Sequence, residues 1–351
     1  MTALENLSAP AWWLLTLYRE HAPRRLDLSA QPVGPTLELT RGQNSSAAAL
    51  PEPGSELLSA RSTLDDPHVS TCHARLMAGP RGVEIQDLGS KNGVWVDGRR
   101  VDRAWLRAGT LVRIGRTLLR LVRSQDLPRC TLERRFDLVW GSALAPVGAA
   151  IDERRVADQP WLLWGEGGSG KRSAARALSR GLAAPKFADF DALRIPQQLR
   201  EVELLGNQRV HGAVAGSARG LLYISRPELL PARLLPAMFE QAAAAHTTLA
   251  FGLTSADSAE LVRCALAHAA VELRSPPLRE RVLEIPALIQ SVIPRGVMGV
   301  GVEFVEACCL GSWPGNVSQL VRATRDALAR AVAERAATLG QRHLSAEGCP
   351  A

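Results

Sequence analysis

The sequence predicts a multidomain protein in which an all-β sandwich is followed by an α/β domain and a helical C-terminal part. Between Pro35 and Arg123, short apolar runs with a period of two are separated by Gly, Asp and Asn, as is typical of a β sandwich. From about residue 136, strand-like runs alternate with helical patterns, which predicts a parallel sheet covered by helices. After Glu284 the pattern is almost entirely helical.

These patterns set the predicted domain boundaries. The first segment, 1–32, contains the apolar run AWWLLTLY, which we expect to form a short amphipathic helix. The β sandwich spans 33–123, and the polar stretch SQDLPRC marks a linker over 124–135. The α/β domain spans 136–283, and a helical lid with the C-terminal tail spans 284–351.

Composition narrows the class of protein. The net charge of +7 comes almost entirely from arginines scattered among acidic residues, which favours a compositional bias over a nucleic-acid surface. The six cysteines include no C-x-x-C pair, so we expect reduced thiols and neither a disulfide framework nor a metal site. The apolar runs are too short to span a bilayer and no leader is evident, so we expect a cytoplasmic protein without membrane partners.

Two motifs in the β-rich part point to phosphate recognition. Residues 66–74 read DPHVSTCHA and residues 87–98 read DLGSKNGVWVDG, which places Ser70 and His73 ahead of the pair Asn92-Gly93. In this order the motifs resemble those of the forkhead-associated (FHA) domain, which binds phosphothreonine peptides through loops at one end of a β sandwich. A phosphothreonine carries nearly two negative charges and three acceptor oxygens, so a domain that binds it needs an Arg and short polar side chains that donate hydrogen bonds.

The resemblance implies a role for each motif residue. Ser70 would donate to the phosphate, and Asn92 would hold the peptide backbone beside it. His73 would brace the loop beneath Ser70, and Gly93 would supply the backbone freedom of its turn.

The phosphate-binding Arg is less evident from the motifs. Arg61, in the stretch ELLSARS, is the candidate, with a solvated surface Arg as the alternative. Thr71 occupies the position after Ser70, where the family often has a basic residue or Asn, and Lys91 would add positive charge nearby.

A further motif lies in the α/β part, where residues 162–178 read LLWGEGGSGKRSAARAL. This pattern predicts a strand, a glycine-rich turn and a helix. It fits the first seven positions of the phosphate-binding loop G-x-x-x-x-G-K, but the eighth, where Ser or Thr should reach magnesium, is Arg172. The candidate nucleotide-binding residues are Gly165, Gly167, Gly168, Ser169, Gly170, Lys171 and Arg172. Backbone amides and a lysine at the start of a helix form an anion-binding site, so this loop would be able to bind ATP or ADP. The alternative is that the glycine-rich turn is retained only because the fold needs it.

Further stretches extend this pattern: ELLG at 203–206, GLLYIS at 220–225, RSPPLRERVLEIP at 274–286 and WPGNVSQL at 313–320. Together with the loop they resemble the AAA+ domain of bacterial enhancer-binding proteins, the activators of sigma-54 RNA polymerase. The resemblance also assigns positions to the catalytic groups, and most of them are altered. The metal-binding Asp and the catalytic Glu correspond to Ser225 and Arg226, the following Asn to Ser255, the arginine fingers to Leu261 and Ala267, and the sensor Arg to Ser318.

Each missing group is typically worth orders of magnitude in rate, so we expect no catalytic residues, no bound metal and no ATP hydrolysis. The chain is then an inactive ATPase homologue that requires no cofactor. The segment 207–219 is too short for a sigma-contacting loop, and a helix-turn-helix would begin only beyond Ala351. We therefore expect no direct binding to DNA.

The leading interpretation is a regulatory protein that recognises phosphothreonine-containing partners, such as kinase substrates or the kinase itself. Its inactive AAA+-like domain would serve as an interaction or assembly module. One alternative is an ATP-dependent sigma-54 activator with unusual catalytic residues. Another is a subunit that assembles with itself or with active AAA+ relatives.

Overall fold

The structure, a computed structural model, describes residues 12–22, 28–42, 60–79, 82–126, 132–135, 138–141, 144–152, 159–181, 186–254, 259–294 and 296–345. It divides into two compact units. Unit 1 consists of Met1–Leu132, Leu283–Ser312 and Leu320–Ala351, and unit 2 of Glu133–Val282 and Trp313–Gln319. Most of the predicted lid therefore groups with the β sandwich and not with the α/β domain.

Unit 1 contains the β sandwich, which is built from two sheets. Its strands are β1 (Trp12–Arg19), β2 (Ala30–Val33), β3 (Leu37–Arg41), β4 (Ala60–Leu64), β5 (Ala74–Gly79), β6 (Gly82–Asp87), β7 (Val94–Val96), β8 (Arg99–Val101), β9 (Arg103–Leu106), β10 (Leu111–Ile114) and β11 (Thr117–Arg123). One sheet has the order β2-β1-β11-β10-β7-β8 and the other β4-β3-β5-β6-β9. The pairing is antiparallel except between β3 and β4, which run parallel.

The core of the sandwich lies between these sheets. Apolar side chains at alternate strand positions, such as Leu37 and Leu39 on β3 and Leu119 and Leu121 on β11, pack together there. This period of two is the geometry of a strand whose successive side chains point to opposite faces. The predicted β sandwich is therefore present.

The prediction for AWWLLTLY was wrong, because this stretch forms strand β1 and not a helix. β1 lies between β2 and β11 and pairs with both. Six consecutive residues of β1 are buried, so both faces of the strand are covered and the sequence shows no alternation. The sandwich thus begins near Trp12 instead of at residue 33.

The remaining elements of unit 1 are mainly helical. They are α7 (Ile285–Val292), α8 (Val302–Leu310), most of α9 (Asn316–Ala333), and the parallel pair of short strands β19 (Gly299–Val300) and β20 (Thr338–Leu339). The first residues of α9, Asn316–Gln319, belong to unit 2.

Unit 2 is built around a parallel sheet with the order β15-β16-β17-β14-β18. Its strands are β14 (Trp161–Trp164), β15 (Phe187–Asp191), β16 (Leu221–Ser225), β17 (Thr248–Leu253) and β18 (Val271–Arg274). Its helices are α1 (Ala145–Asp152), α2 (Lys171–Gly181), α3 (Arg200–Leu205), α4 (Ala213–Gly216), α5 (Leu235–Ala245) and α6 (Ala259–Ala267). Apolar clusters on both faces of the sheet match the predicted α/β domain.

The predicted linker, 124–135, is only partly described. It starts with a short 3-10 turn at Ser124–Asp126, and its last residues form strand β12 (Glu133–Arg135), which pairs with β13 (Leu138–Trp140). The end of this segment is therefore structured and belongs to unit 2. Within the described ranges, no helix combines the length and the apolarity needed to cross a bilayer.

The position of β1 can be tested by truncation. Removing residues 1–27 should destabilise the sandwich strongly, because a strand paired on both sides would be lost. Thermal unfolding followed by circular dichroism should show loss of the cooperative transition of the sandwich. The control is removal of residues 1–11, which precede β1; equal transitions for the two truncated chains would contradict the strand assignment.

Candidate functional site

The loop that carries Ser70 connects β4 to β5 and is fixed by the buried carboxylate of Asp66. Asp66 Oδ1 accepts the backbone N–H of His68 at 2.8 Å. Its Oδ2 accepts the N–H of Arg116 at 2.7 Å and the hydroxyl of Thr117 at 2.9 Å. A buried carboxylate needs such donors, so Asp66 ties this loop to the β10–β11 turn.

The side chain of His73 lies beneath the same loop and contacts its backbone. It is fully buried, Nδ1 accepts the backbone N–H of Ser70 at 3.0 Å, and Nε2 lies 3.2 Å from the carbonyl oxygen of Gly93. These partners require a neutral ring with the proton on Nε2. Burial lowers the pKa of His73, and the Gly93 carbonyl opposes the shift only in part.

Ser70 and Asn92 come together at this end of the sandwich. The Oγ of Ser70 accepts the N–H of Lys91 at 3.1 Å, which leaves its hydroxyl proton available for a ligand. The Nδ2 of Asn92 donates to the carbonyl of His68 at 2.6 Å, and its Oδ1 stays available. Asn92, Lys91 and Thr71 are exposed, so a ligand can reach this group.

Gly93 adopts a backbone conformation that favours glycine. Its φ is +74°, in the left-handed region that favours glycine. A Cβ at this position would lie 2.5 Å from Nε of Arg100. The positive φ therefore favours glycine in the turn that presents Asn92, whereas the exposed Arg100 side chain can move away from an added Cβ.

The structure does not bring Arg61 to Ser70. Arg61 is paired with Glu38 in the register of β3 and β4, and its guanidinium lies 3.5 Å from the Glu38 carboxylate. Leu64, at the other end of β4, lies three residues further along, roughly 10 Å at the rise of a strand. That is the end of the strand from which the Ser70 loop departs.

Arg41, which the sequence analysis missed, lies at that end instead. It is the last residue of β3, pairs with Leu64, and donates its backbone N–H to the Ser70 carbonyl at 3.1 Å. Its side chain is exposed and forms no ion pair or side-chain hydrogen bond with the described residues. Because residues 43–59 separate the paired strands β3 and β4 in sequence, spacing from Ser70 alone could not reveal this position.

The glycine-rich segment of unit 2, Gly165–Gly170, connects β14 to α2 at the carboxyl end of the parallel sheet. Lys171, the first residue of α2, donates from Nζ to the carbonyl oxygens of Gly165 at 2.6 Å and Glu166 at 2.8 Å. Burial lowers the pKa of Lys171 to about 8, against the opposing effect of Glu228 and Glu166. Two of the three ammonium donors are therefore directed at the loop itself.

The loop is also held by residues of the two motifs PPLRER and WPGNV. The carboxylate of Glu166 binds Arg279 at 2.6 Å and Asn316 at 3.1 Å, which lowers its pKa to about 2. The carbonyl of Ser169 accepts from Ser275 at 3.1 Å and Arg281 at 2.7 Å.

Gly168, the third of the four glycines in the loop, has a φ of +72°. A Cβ at Gly168 would collide with the carbonyl oxygen of Gly315, so the WPGNV turn packs directly on the loop. The Ser318 N–H also donates to the Gly168 carbonyl, at 3.3 Å. Ser318, the predicted sensor position, therefore lies at the loop with a short hydroxyl side chain.

The other predicted catalytic positions carry different groups. Ser225 ends β16, and the exposed Arg226 follows it with a φ of +54°. Arg172 forms an ion pair with Asp189. Leu261 is buried in the core. Ser255 lies outside the described residues, and among those described no group of His, Cys, Asp and Glu could hold a metal ion.

Comparison with known proteins identifies the first domain. The family model described as FHA domain matches residues 54–115, so the chain contains an FHA domain. No curated protein matches this chain.

Among solved structures, NtrX from Brucella abortus is similar, with a TM-score of 0.51 and 20% sequence identity over 61% of this chain. The chain spans 58% of the length of that protein, and the likeness concerns the fold alone. The FHA domain of CT664 protein from Chlamydia trachomatis is 27% identical over 32% of this chain and 96% of its own, with a TM-score of 0.24. The sigma-54 activator ancestry of the α/β domain stays a prediction.

The environment of His73 predicts acid sensitivity. Because the pKa of His73 is lowered in the folded state, stability should be lost as the pH falls below about 6.5, the pKa of an unfolded histidine. The free energy of unfolding, measured by urea denaturation at pH 7.5 and pH 5, should drop less for His73→Gln than for the unchanged protein. An equal drop in both would show that His73 is not the titrating group.

Proposed function

We propose that the chain is a regulatory protein that reads phosphothreonine-containing partners through its FHA domain. The observation that carries this proposal is the convergence of three groups at one end of the sandwich. These are the free hydroxyl proton of Ser70, the amide of Asn92 and the exposed guanidinium-bearing residue Arg41.

The chemistry of these groups suits a phosphate ester beside a peptide backbone. A phosphothreonine carries a charge near −2 and three acceptor oxygens, and a guanidinium binds such a group through paired charged hydrogen bonds. The hydroxyl of Ser70 supplies a further donor, and Lys91 and Thr71 lie at the rim. Asn92 has a free acceptor for the peptide. We propose that these side chains bind the phosphate without a cofactor.

For the α/β domain we propose an interaction or assembly role without ATP hydrolysis. The end of β16 offers a hydroxyl at Ser225 and a positive charge at Arg226, where hydrolysis needs a metal ligand and a residue that orients water. Lys171 donates to carbonyls of its own loop, and Arg172 is engaged by Asp189. The lack of a carboxylate at Ser225 and Arg226 opposes magnesium-dependent turnover.

The assignment of the phosphate-binding Arg can be tested by substitution. A phosphothreonine peptide selected from a randomised library serves as probe, and its affinity is measured by isothermal titration calorimetry. Arg41→Ala should weaken binding at least about tenfold, the effect of losing charged hydrogen bonds. Arg61→Ala, the matched control, should change affinity less than about twofold. The opposite ranking would return the role to Arg61.

The expected inactivity can be tested by a steady-state assay with magnesium and ATP. NtrX was solved in complex with ATP, so the same preparation should also be titrated with ATP to separate binding from turnover. We expect no turnover above the background of a Lys171→Ala variant, because the positions of the metal ligand and the catalytic carboxylate are occupied by Ser225 and Arg226. ATP hydrolysis abolished by Lys171→Ala would support the alternative of an active sigma-54 activator.

A further inference from the structure

Helix α8 covers the outer face of the sheet that contains β1, β10 and β11, all within unit 1. Tyr18 on β1 donates its hydroxyl to the Val300 carbonyl at 2.6 Å. Glu20 accepts the N–H of Val302, the first residue of α8, at 3.1 Å. These contacts fix the start of the helix on the sandwich.

One turn further along α8, a buried ion pair joins the helix to the sheet. The Nε of Arg113 on β10 lies 2.7 Å from Oε2 of Glu306, and both side chains are less than 10% exposed. Glu306 also accepts the N–H of Gly98 at 3.2 Å, and Glu303 lies 3.4 Å from Arg113. Burial raises the pKa of Glu306, and Arg113 opposes this shift, so each buried charge depends on the other.

Trp95 connects this ion pair to the loop between β6 and β7, which carries Asn92. Arg113 and Trp95 are cross-strand partners, and the guanidinium carbon lies 4.2 Å from the centre of the indole ring. The indole N–H of Trp95 donates to the carbonyl of Asn92 at 3.2 Å. The side chains therefore form an unbroken chain of contacts from Glu306 on α8 to Asn92.

A second route connects the same helix to the same loops. Glu20, which binds the start of α8, forms an ion pair of 2.9 Å with Arg116. The backbone N–H of Arg116 donates to Asp66, which holds the backbone of His68. The carbonyl of His68 accepts the side chain of Asn92.

We propose that α8 contributes to phosphopeptide binding. Glu306 on α8 holds Arg113, and Arg113 and Trp95 are positioning residues that keep Asn92 in place for the peptide. The proposal rests on the proposed function of the FHA domain. Peptide binding and the docking of α8 are then linked, and each must strengthen the other by the same factor. A partner that detaches α8 would therefore lower the affinity of the FHA domain for the phosphopeptide. A bound phosphopeptide would in turn stabilise the docking of α8 on the sheet.

The test uses the full-length chain and the library-selected phosphothreonine peptide. Trp95→Phe keeps a ring beneath Arg113 but removes the donor to Asn92. Arg113→Met combined with Glu306→Met removes the ion pair without leaving an unpaired buried charge. Both should weaken the peptide about three- to tenfold, as expected for one lost hydrogen bond. The matched control is Arg103→Met with Glu84→Met, an ion pair on the other sheet, which should leave affinity unchanged.

Hydrogen exchange of the α8 amides provides a second measurement. If α8 only stabilised the fold, peptide binding would not change its exchange rates. In the unchanged protein, saturating peptide should slow exchange in residues 302–310, and Trp95→Phe should reduce that slowing. The inference is overturned if both variants bind the peptide with unaltered affinity, or if the peptide does not change hydrogen exchange in α8. The proposed function stands in either case. No binding by the unchanged protein to any phosphothreonine peptide of the library removes the proposed function, and the inference with it.

Discussion

The burial of both faces of the β1–β11–β10 sheet is the constraint on which unit 1 depends. Strand β1 has six consecutive buried residues, and all four residues of β10 are buried, including Arg113. One face packs into the sandwich core, so the other needs a cover, and α8 contacts β1 and β11 there. The hydrophobic effect favours this cover, but an Arg in such a place also requires a carboxylate partner. Glu306 supplies it from α8.

The two loops that carry Ser70 and Asn92 are held by buried polar groups in addition to the apolar side chain of Val69, which packs into the sandwich core. Buried Asp66 and His73 each bind backbone groups of the loop that presents Ser70, and His73 reaches across to the turn of Asn92. Fully satisfied buried polar networks of this kind specify one arrangement of the chain. The backbone that carries Ser70 and Asn92 is thus fixed in the folded protein, which would limit the ordering cost of binding a ligand.

The parts of the fold and site that depend on local pattern could be predicted from the sequence, and the long-range parts could not. The alternation in β3 and β11 and the Ser70-x-x-His73 and Asn92-Gly93 motifs led to the sandwich and to two loops that the structure brings together at one end of it. AWWLLTLY was misassigned because a strand buried on both faces loses the period of two. Arg41 was missed because its contact with Ser70 arises from the parallel pairing of β3 with β4 across residues 43–59. The grouping of α8 with the sandwich depends on contacts about two hundred residues apart, such as Gly98 with Glu306, which no local pattern records.

An NMR titration of the full chain tests whether this end of the sandwich binds a phosphate group, as we propose. One phosphothreonine peptide and its unphosphorylated twin are added in turn while the backbone amides of Ser70 and Lys91 and the side-chain amide of Asn92 are followed. We expect large shifts of these signals with the phosphorylated peptide and none with its unphosphorylated form. Equal shifts with both peptides, or shifts confined to other parts of the chain, would contradict the proposal.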